Sequence, residues 1–517
     1  MPLQPTPLKL KTSLLMLGVI LPGLTAWGSP ALAQAPAPRA PGPLRVHPTN
    51  PRYFTDGTKN PDGSLRAVYL TGSHTWNSLQ DGAFFTTENA DPPPRFDFEA
   101  YLDFLERHNH NFIRLWRFEQ PKFHYWLDAD SSVLRTTTSR RGLQFSQPHP
   151  WARTGPGADM IGKLKFDLTQ FDREYFDRLR SRVIAARERG MYVSVMLFEG
   201  GSMRRGNRAF WSAHPFKGGN NVNGIKVPDD DGDEFGPQVQ SLLVPAVTEL
   251  QKTYIRHVVD TVNDLDNVLY EVGNEFEFTA ANTEWQHWVV KFVKDYEATK
   301  PKQHPVGMVC QMHHPWKTSV PDDPRNAVLF NGPADWISPG GYAGRGYINP
   351  ETIPAADGKK VLLFDTDHVW GVGGADQAWV WQTFTRGHNP LFMDFLSEIT
   401  EHVVWYRQAP EVRAAMGHTR SYAMKMNLAA MTPRDDLAST RYCLANPGKE
   451  YLIYLPDGGE VTVDLSAVPG QFAQEWFNPK SGSSTAGKVL SAGARRACQA
   501  PFTGQAVLYL KAQSSKP

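Results

Sequence analysis

Apolar runs and amphipathic segments alternate through most of the 517-residue chain. The apolar runs are rich in β-branched and aromatic residues and have the length of buried strands, and segments with apolar residues at helical spacing separate most of them. Several helical segments end at glycine or proline, such as Gly190 and Pro301, as helices do. Eight strands are predicted, at 66–76, 112–118, 191–200, 267–275, 304–311, 335–342, 359–368 and 389–395.

This order of elements indicates a particular α/β architecture. Eight strands alternating with helices are typical of a (β/α)8 TIM barrel with long loops after the strands. A doubly wound open sheet is the alternative, but no glycine-rich phosphate loop follows the first strand. We therefore predict a TIM barrel over residues 45–425. Short alternating strands separated by Gly, Pro and Asp turns follow it and predict a small C-terminal β-sandwich over residues 426–517.

The N-terminus has the three parts of a secretory signal peptide. Lys9 and Lys11 precede an apolar run that is too short to span a membrane easily, and small residues then predict cleavage after Ala33. An uncleaved anchor is the alternative. Residues 34–44 are a Pro/Ala linker. We expect residues 1–33 to be removed, leaving a secreted or periplasmic protein without membrane attachment.

Composition narrows the classes of partner. The formal net charge is +1, and the chain contains 15 Trp. Without a basic excess it is not suited to nucleic acid, whereas a Trp-rich, charge-balanced surface suits a neutral ligand with flat faces. No Cys and His spacing indicates zinc, so we predict no metal and no cofactor, and we expect a monomer. A disulfide between Cys443 and Cys498 is expected in an exported β-region.

Polar side chains collect where the predicted strands end. The active sites of TIM barrels lie at the C-terminal ends of their strands, and a carboxylate there is costly to bury unless it is paired or used. The residues at these ends, in strand order, are His74 and Trp76; Arg114, Trp116 and Arg117; Glu199; Asn274 and Glu275; Gln311, His313 and His314; Tyr342; Asp365, Asp367, His368 and Trp370; and Asp394.

Three of these strand ends carry a family resemblance. The segments "FIRLWRF", "GNE" and "VLLFDTDH", in this order, resemble the clan A glycoside hydrolases. The chain is most similar to the cellulase-like secreted proteins with a trailing β-domain, including the apiosidase-like group. The resemblance implies that Glu275 is the acid/base and that a carboxylate on the seventh strand is the nucleophile. That carboxylate is usually Glu in the clan, whereas this chain offers Asp365 or Asp367.

The two aspartates are expected to differ in role. Strand alternation places both on one face, with Asp367 nearer the rim, so Asp367 is the preferred nucleophile and Asp365 a deeper partner for Arg114. The chemistry needs two carboxyl groups with different pKa values, so Glu275 would hold its proton while Asp367 stays ionised. Arg114 would keep Asp367 charged, because a nearby cation lowers the pKa of a carboxyl group.

The remaining rim residues form a predicted sugar-binding set. Asn274 would hydrogen-bond the sugar 2-hydroxyl, Tyr342 would orient the nucleophile, and Trp rings would stack on sugar faces. The predicted substrate-binding residues are Asn274, Arg114, His74, Trp76, His313, Tyr342, Trp370 and Asp365.

These features together predict a secreted, retaining glycosidase that acts on a poly- or oligosaccharide. A barrel that binds glycan without cleaving it is one alternative. A metal-dependent hydrolase using His74, His313 and Asp367 is another, although no HxH pair lies on the first strand. Glu199 and Glu271 are interpreted as ion-pair residues, and the β-sandwich is expected to brace the barrel.

Overall fold

A computed structural model of the chain describes residues 42–86, 89–125, 142–203, 211–227, 237–312, 324–340, 353–369, 374–394 and 409–513. Eight parallel strands form one sheet. They are β1 Gly72–His74, β2 Phe112–Leu115, β3 Tyr192–Glu199, β4 Val268–Asn274, β5 Val306–Val309, β6 Trp336–Ser338, β7 Val361–Asp365 and β8 Asn389–Met393. Their order in the sheet is β1-β8-β7-β6-β5-β4-β3-β2, which confirms the predicted barrel.

Asn111 closes the barrel between β1 and β2. Its backbone N–H donates to the Thr71 carbonyl at 2.9 Å, and its Oδ1 accepts from the Thr71 N–H at 3.0 Å. Its Nδ2 donates to the Tyr69 carbonyl at 2.9 Å. Gly72 permits this close approach, because a Cβ there would lie 2.0 Å from the Phe112 carbonyl oxygen. A side-chain amide thus joins the two strands.

Helices cover the outside of the barrel and bury their apolar faces. Side-chain caps start several of them; Asp97, for example, accepts from the Ala100 N–H at 2.9 Å. Among the described residues, none of the helices has both the length and the apolar character needed to cross a bilayer. The helices are α1 Phe98–Arg107, α2 Arg173–Glu188, α3 Pro245–Val262, α4 Ala280–Glu297, α5 Pro324–Asn331, α6 Gln377–Thr385 and α7 Pro410–Lys425.

A short N-terminal ribbon covers one end of the barrel. Strands Arg45–Val46 and Phe54–Thr55 pair antiparallel. Leu44 and Phe54 belong to a buried cluster with Phe112 and Tyr192, the first residues of β2 and β3. The N-terminal ends of these strands are therefore covered, and the functional groups lie at the opposite ends.

The insertions after β1 and β2 contain strands that the sequence pattern did not predict. Segments Asp81–Thr86, Lys122–Tyr125 and Gly142–Gln147 form a three-stranded antiparallel sheet. Segments Trp151–Ala158 and Leu164–Phe171 form a hairpin whose register shifts twice. The sequence "TGPG" within the first hairpin strand is typical of a turn, which hid the strand.

The C-terminal region is a two-sheet antiparallel structure, as predicted. The larger sheet has the order β9-β10-β11-β17-β13-β14, with β15 also pairing with β13, and β12 pairs with β16 in the smaller sheet. The strands are β9 Thr432–Pro433, β10 Cys443–Asn446, β11 Glu450–Leu455, β12 Gly458–Asp464, β13 Gln471–Asn478, β14 Ser483–Ala486, β15 Leu490–Ser491, β16 Arg495–Thr503 and β17 Ala506–Ala512.

The predicted disulfide is wrong, because both cysteines are free thiols. Cys443 lies on β10 of the larger sheet and Cys498 on β16 of the smaller sheet. Both side chains are buried in the apolar cluster that fills the space between the two sheets. Hydrophobic packing, and not a covalent bridge, holds the two sheets together.

The larger sheet also packs on the barrel helices. The Tyr454 ring on β11 stacks on Trp381 of α6, with centroids 6.3 Å apart, and Phe477 lies 5.8 Å from the same ring. Lys425 at the end of α7 donates to Glu475 at 2.6 Å. Trp476 and Phe477 on β13 are buried, so these aromatic residues serve packing. These contacts support the interpretation of the β-sandwich as a brace.

Candidate active site

Strand β4 ends in a backbone conformation that L-residues rarely adopt. Gly273 has a φ of 154°, and a Cβ there would lie 2.1 Å from the Phe198 carbonyl oxygen on β3. Glu275 has a φ of 52°, in the left-handed region. The chain is then held beyond β5 by the Met312 N–H, which donates to the Phe276 carbonyl at 2.7 Å. Such strain in a non-glycine residue is typical of functional sites.

Arg114 on β2 connects three residues of the barrel mouth. Its Nε donates to Glu271 at 3.0 Å, and its Nη2 makes a second contact with the same carboxylate. Nη1 donates to Asp365 at 2.7 Å, and Nη2 donates to Asn274 Oδ1 at 3.1 Å. Burial disfavours the charge, but Glu271 and Asp365 outweigh it and raise the pKa of Arg114. Glu271 therefore lies in an ion pair, as interpreted from the sequence.

Asp365, the last residue of β7, is the deeper aspartate. It is fully buried, and its Oδ2 lies 2.7 Å from both Arg114 Nη1 and His74 Nε2, while its Oδ1 accepts from the Asp367 N–H at 3.0 Å. Burial opposes ionisation, but His74 and Arg114 hold the pKa of Asp365 far below its usual range. The prediction that Asp365 is the partner of Arg114 agrees with this geometry.

Asp367 lies in the turn Thr366–His368 after β7 and is only half-buried. One carboxylate oxygen of Glu275, one of Asp367 and one ring nitrogen of His368 all lie within 4.8 Å of one another. Burial, followed by the charges of Glu275 and Asp365, raises the pKa of Asp367 well above its usual range. The expectation that Arg114 keeps Asp367 ionised is wrong, because the guanidinium binds Asp365 instead.

The two rim carboxyl groups therefore interact electrostatically. The charge of Glu275 disfavours ionisation of Asp367. Their meeting across the mouth follows from the barrel, which places the ends of β4 and β7 on one rim. One group able to donate a proton beside another able to attack is the arrangement that glycosidic bond cleavage uses.

His368 is a central contact that the predicted sugar-binding set omitted. It is 1% exposed, its Nδ1 lies 2.9 Å from Ser338 Oγ on β6, and its Nε2 lies 2.9 Å from Asn274 Oδ1 on β4. Asn274 in turn directs its Nδ2 toward Asp367 Oδ2 at 3.4 Å. The only sequence signal was the position of His368 directly after Asp367.

Glu275, Asp367 and His368 have the spacing of a metal site, but their contacts do not fit one. A histidine ligand must offer a nitrogen lone pair to the ion. Both ring nitrogens of His368 are already engaged, with Ser338 and Asn274. An ion would break one of these contacts or bind to carboxylates alone, so the donor set favours acid/base chemistry.

Two other predicted residues, His74 and Trp76, pack against aromatic rings near the barrel mouth. His74 is stacked on Trp116, with ring planes 10° apart and centroids 6.1 Å apart. Trp76 is 6% exposed and meets Phe84 and Phe118 edge-on. Trp76 thus belongs to an aromatic core beneath the rim, which differs from the open stacking face expected from the sequence. The predicted residues His313, Tyr342 and Trp370, together with His314, lie outside the described residues.

Three further strand-end residues serve packing. Asp394 accepts two hydrogen bonds from Arg413 of α7, at 2.6 and 2.8 Å. The Arg117 guanidinium lies 4.5 Å from the Tyr254 ring, among the helices. Glu199 accepts from the Gly201 N–H at 2.7 Å within its own turn. Their contacts connect the barrel to its helices and loops.

Two family models match parts of the chain. Residues 143–324 match the family model described as "Domain of unknown function (DUF6298)", and residues 431–508 match "Putative collagen-binding domain of a collagenase". No curated protein matches the chain.

Solved structures share the fold over nearly the whole chain. One titled "Glycoside hydrolase" matches with a TM-score of 0.52 and 12% identity, covering 92% of this chain and 98% of the other. A glycoside hydrolase family 5 protein from Bacteroides vulgatus has a TM-score of 0.54 and 11% identity, with coverage of 92% and 93%. A structure titled as a putative glycoside hydrolase from the same species has a TM-score of 0.57 and 13% identity, and the match covers 92% of this chain and 83% of the other. The chain therefore shares its overall fold, a TIM barrel followed by a β-domain, with solved structures titled glycoside hydrolase.

Proposed function

We propose that this protein is a glycoside hydrolase that cleaves O-glycosidic bonds in a poly- or oligosaccharide. The observation that carries the proposal is the carboxyl pair of Glu275 and Asp367, whose oxygens approach within 4.8 Å at the ends of β4 and β7. The likeness in fold to structures titled glycoside hydrolase supports the same activity. We further propose export through the N-terminal signal segment.

The proposed reaction retains the anomeric configuration, and the close approach of one oxygen from each carboxyl group supports this. Retaining enzymes keep their carboxyl groups about 5–5.5 Å apart, whereas inverting enzymes need about 6.5–9.5 Å to admit a water molecule between them. In the proposed reaction Asp367 attacks the anomeric carbon while Glu275 protonates the departing oxygen. Glu275 then takes a proton from the water that hydrolyses the glycosyl ester on Asp367.

The reaction needs the negative charge of the pair on Asp367 and the proton on Glu275 when the substrate binds. Forming the glycosyl ester removes the charge of Asp367 as Glu275 gives up its proton, so the net charge of the pair does not change. Hydrolysis of the ester restores the charge on Asp367, and Glu275 recovers a proton from water.

The deeper groups hold this pair in place. Arg114 pairs with both Asp365 and Glu271, which leaves Asp367, half-buried in the turn after β7, as the reactive aspartate. Asn274 approaches Asp367 with one N–H of its amide, and its second N–H is proposed to bind the sugar 2-hydroxyl. A hydrogen bond to the 2-hydroxyl strengthens in the transition state, so this contact would contribute to the rate.

A screen of plant and bacterial polysaccharides with product analysis tests the proposal. We expect reducing sugar from at least one glycan, and at least a 100-fold loss of turnover in Glu275→Gln and Asp367→Asn. Glu277→Gln is the matched control, because this half-buried carboxylate lies two residues beyond Glu275, and it should retain activity. Glycan binding without turnover, or full activity in Asp367→Asn, would contradict the proposal.

A further inference from the structure

The orientation of the Asn274 side chain can be assigned from its neighbours. Arg114 has only N–H groups to offer, and its Nη2 lies 3.1 Å from one terminal atom of the Asn274 amide. That atom must therefore be the oxygen. The same oxygen is the one that lies 2.9 Å from His368 Nε2, so His368 must also donate to it. Both lone pairs of Asn274 Oδ1 are then occupied by donors.

This assignment fixes the state of the His368 ring. Because Nε2 carries the hydrogen, a neutral ring has a bare Nδ1, and Nδ1 accepts from the Ser338 hydroxyl 2.9 Å away. Burial lowers the pKa of His368 to about 3, so the ring is neutral over the working range of most enzymes. The chain Ser338–His368–Asn274 then runs in one direction from β6 to β4.

The chain ends at the proposed nucleophile. With its oxygen held by Arg114 and His368, Asn274 must direct its Nδ2 toward Asp367, at 3.4 Å. We propose that His368 is a positioning residue that fixes the amide of Asn274 and thereby holds Asp367 in its reactive place. The inference rests on the proposed function for its effect on catalysis. His368 contacts no reacting atom in this scheme and transfers no proton.

Replacement of His368 should therefore affect turnover more than substrate binding. In His368→Gln the fixed contact to Asn274 is lost, and a displacement of about 1 Å in a catalytic group lowers rates by about 100-fold. We expect kcat to fall about 10- to 100-fold with KM changed less than about 3-fold. Ser338→Ala removes only the distal end of the chain, so its loss of kcat should be several times smaller.

A second buried histidine provides the matched control. His110 is 2% exposed, accepts from the Ser73 N–H at 3.2 Å and lies 3.0 Å from the Arg413 carbonyl. Burial lowers its pKa to about 3 as well. His110→Gln should lower the melting temperature while kcat stays near the wild-type value. Equal losses of kcat in both variants would mean that His368 has only a structural role.

Two measurements complete the test. In an Asn274→Ala background, His368→Gln should change kcat by less than about 3-fold, because it acts through Asn274; independent, multiplying losses would overturn the inference. Nitrogen-15 NMR of histidine-labelled protein should show His368 with a protonated Nε2 and a bare Nδ1 from pH 5 to 8. The opposite tautomer would overturn the inference, whether or not the protein cleaves glycans. A wild-type protein that cleaved no glycan but showed the expected tautomer would refute the proposed function alone.

Discussion

Neutralising Asp365, the last residue of β7, and Asp367, in the turn that follows, should change stability in opposite directions. Asp365 is fully buried and contacts Arg114, His74 and the Asp367 N–H at 2.7, 2.7 and 3.0 Å. Removing one member of a buried ion pair costs about 3–5 kcal/mol. Because Arg114 keeps its contacts with Glu271, we expect Asp365→Asn to destabilise the protein by about 3 kcal/mol, near the lower end of that range.

Asp367→Asn should stabilise the protein at neutral pH. The folded-state pKa of Asp367 is raised above the usual 3.8 by burial and by the charges of Glu275 and Asp365. A carboxyl group with a raised folded-state pKa binds more protons in the folded than in the unfolded state. Its contribution to stability is therefore lost as pH rises from about 4 through the raised value. Asparagine removes this loss, so the variant should gain over wild type at pH 7 and match it below about pH 4.

Thermal unfolding monitored by tryptophan fluorescence at pH 7 and pH 4 measures both effects. The expected order of melting temperatures at pH 7 is Asp367→Asn above wild type and Asp365→Asn below it, with Glu277→Gln near wild type. The gain in Asp367→Asn should shrink at pH 4. The reasoning fails if Asp367→Asn melts well below wild type at pH 7, or if its gain is the same at both pH values.

Three further predictions concern the acid/base, export and the cysteines. Glu275→Ala should keep activity on aryl glycosides with good leaving groups, because these need no protonation, and azide should restore turnover. Steady-state kinetics on matched good and poor leaving groups measure this, and equal losses on all substrates would show that Glu275 is not the acid/base. Export should remove residues 1–33, so N-terminal sequencing of secreted material should begin at Gln34, and an intact Met1 would exclude cleavage. Thiol titration of the unfolded, unreduced protein should find three free thiols, whereas one thiol would show that Cys443 and Cys498 are bonded.

The barrel and the rim on which its polar residues gather could be predicted because both depend on periodic features, whereas the pairing of Glu275 with a carboxylate of the seventh strand came from the resemblance to clan A glycoside hydrolases. Apolar runs locate β4 and β7, and barrel topology then brings their C-terminal ends onto one rim. Glu275 and Asp367 lie close together because their strands end on the same rim. The prediction failed where turn-forming residues occur inside a strand, as in the hairpin strand Trp151–Ala158.

The partners within the site could be predicted only in part, because they depend on side-chain directions across strands. Strand alternation predicted Asp365 as the partner of Arg114, but the sequence also assigned the guanidinium to keep Asp367 ionised. The structure places Asp365 on the barrel-facing side of β7 at bonding distance, while Asp367 lies beyond the strand in a turn. The role of His368 depends on contacts to β4 and β6, which adjacency to Asp367 does not reveal.

Covalent trapping of the nucleophile tests the central claim most directly. Once the screen identifies the sugar, a 2-deoxy-2-fluoro glycoside of that sugar with a good leaving group should accumulate as a glycosyl ester. The fluorine slows both steps, and the good leaving group keeps formation of the ester faster than its hydrolysis. Peptide mass spectrometry should then find the sugar on Asp367 in the wild-type protein and no adduct in Asp367→Asn. An adduct on Asp365 or Glu275, or first-formed product of inverted configuration with no adduct, would contradict the account.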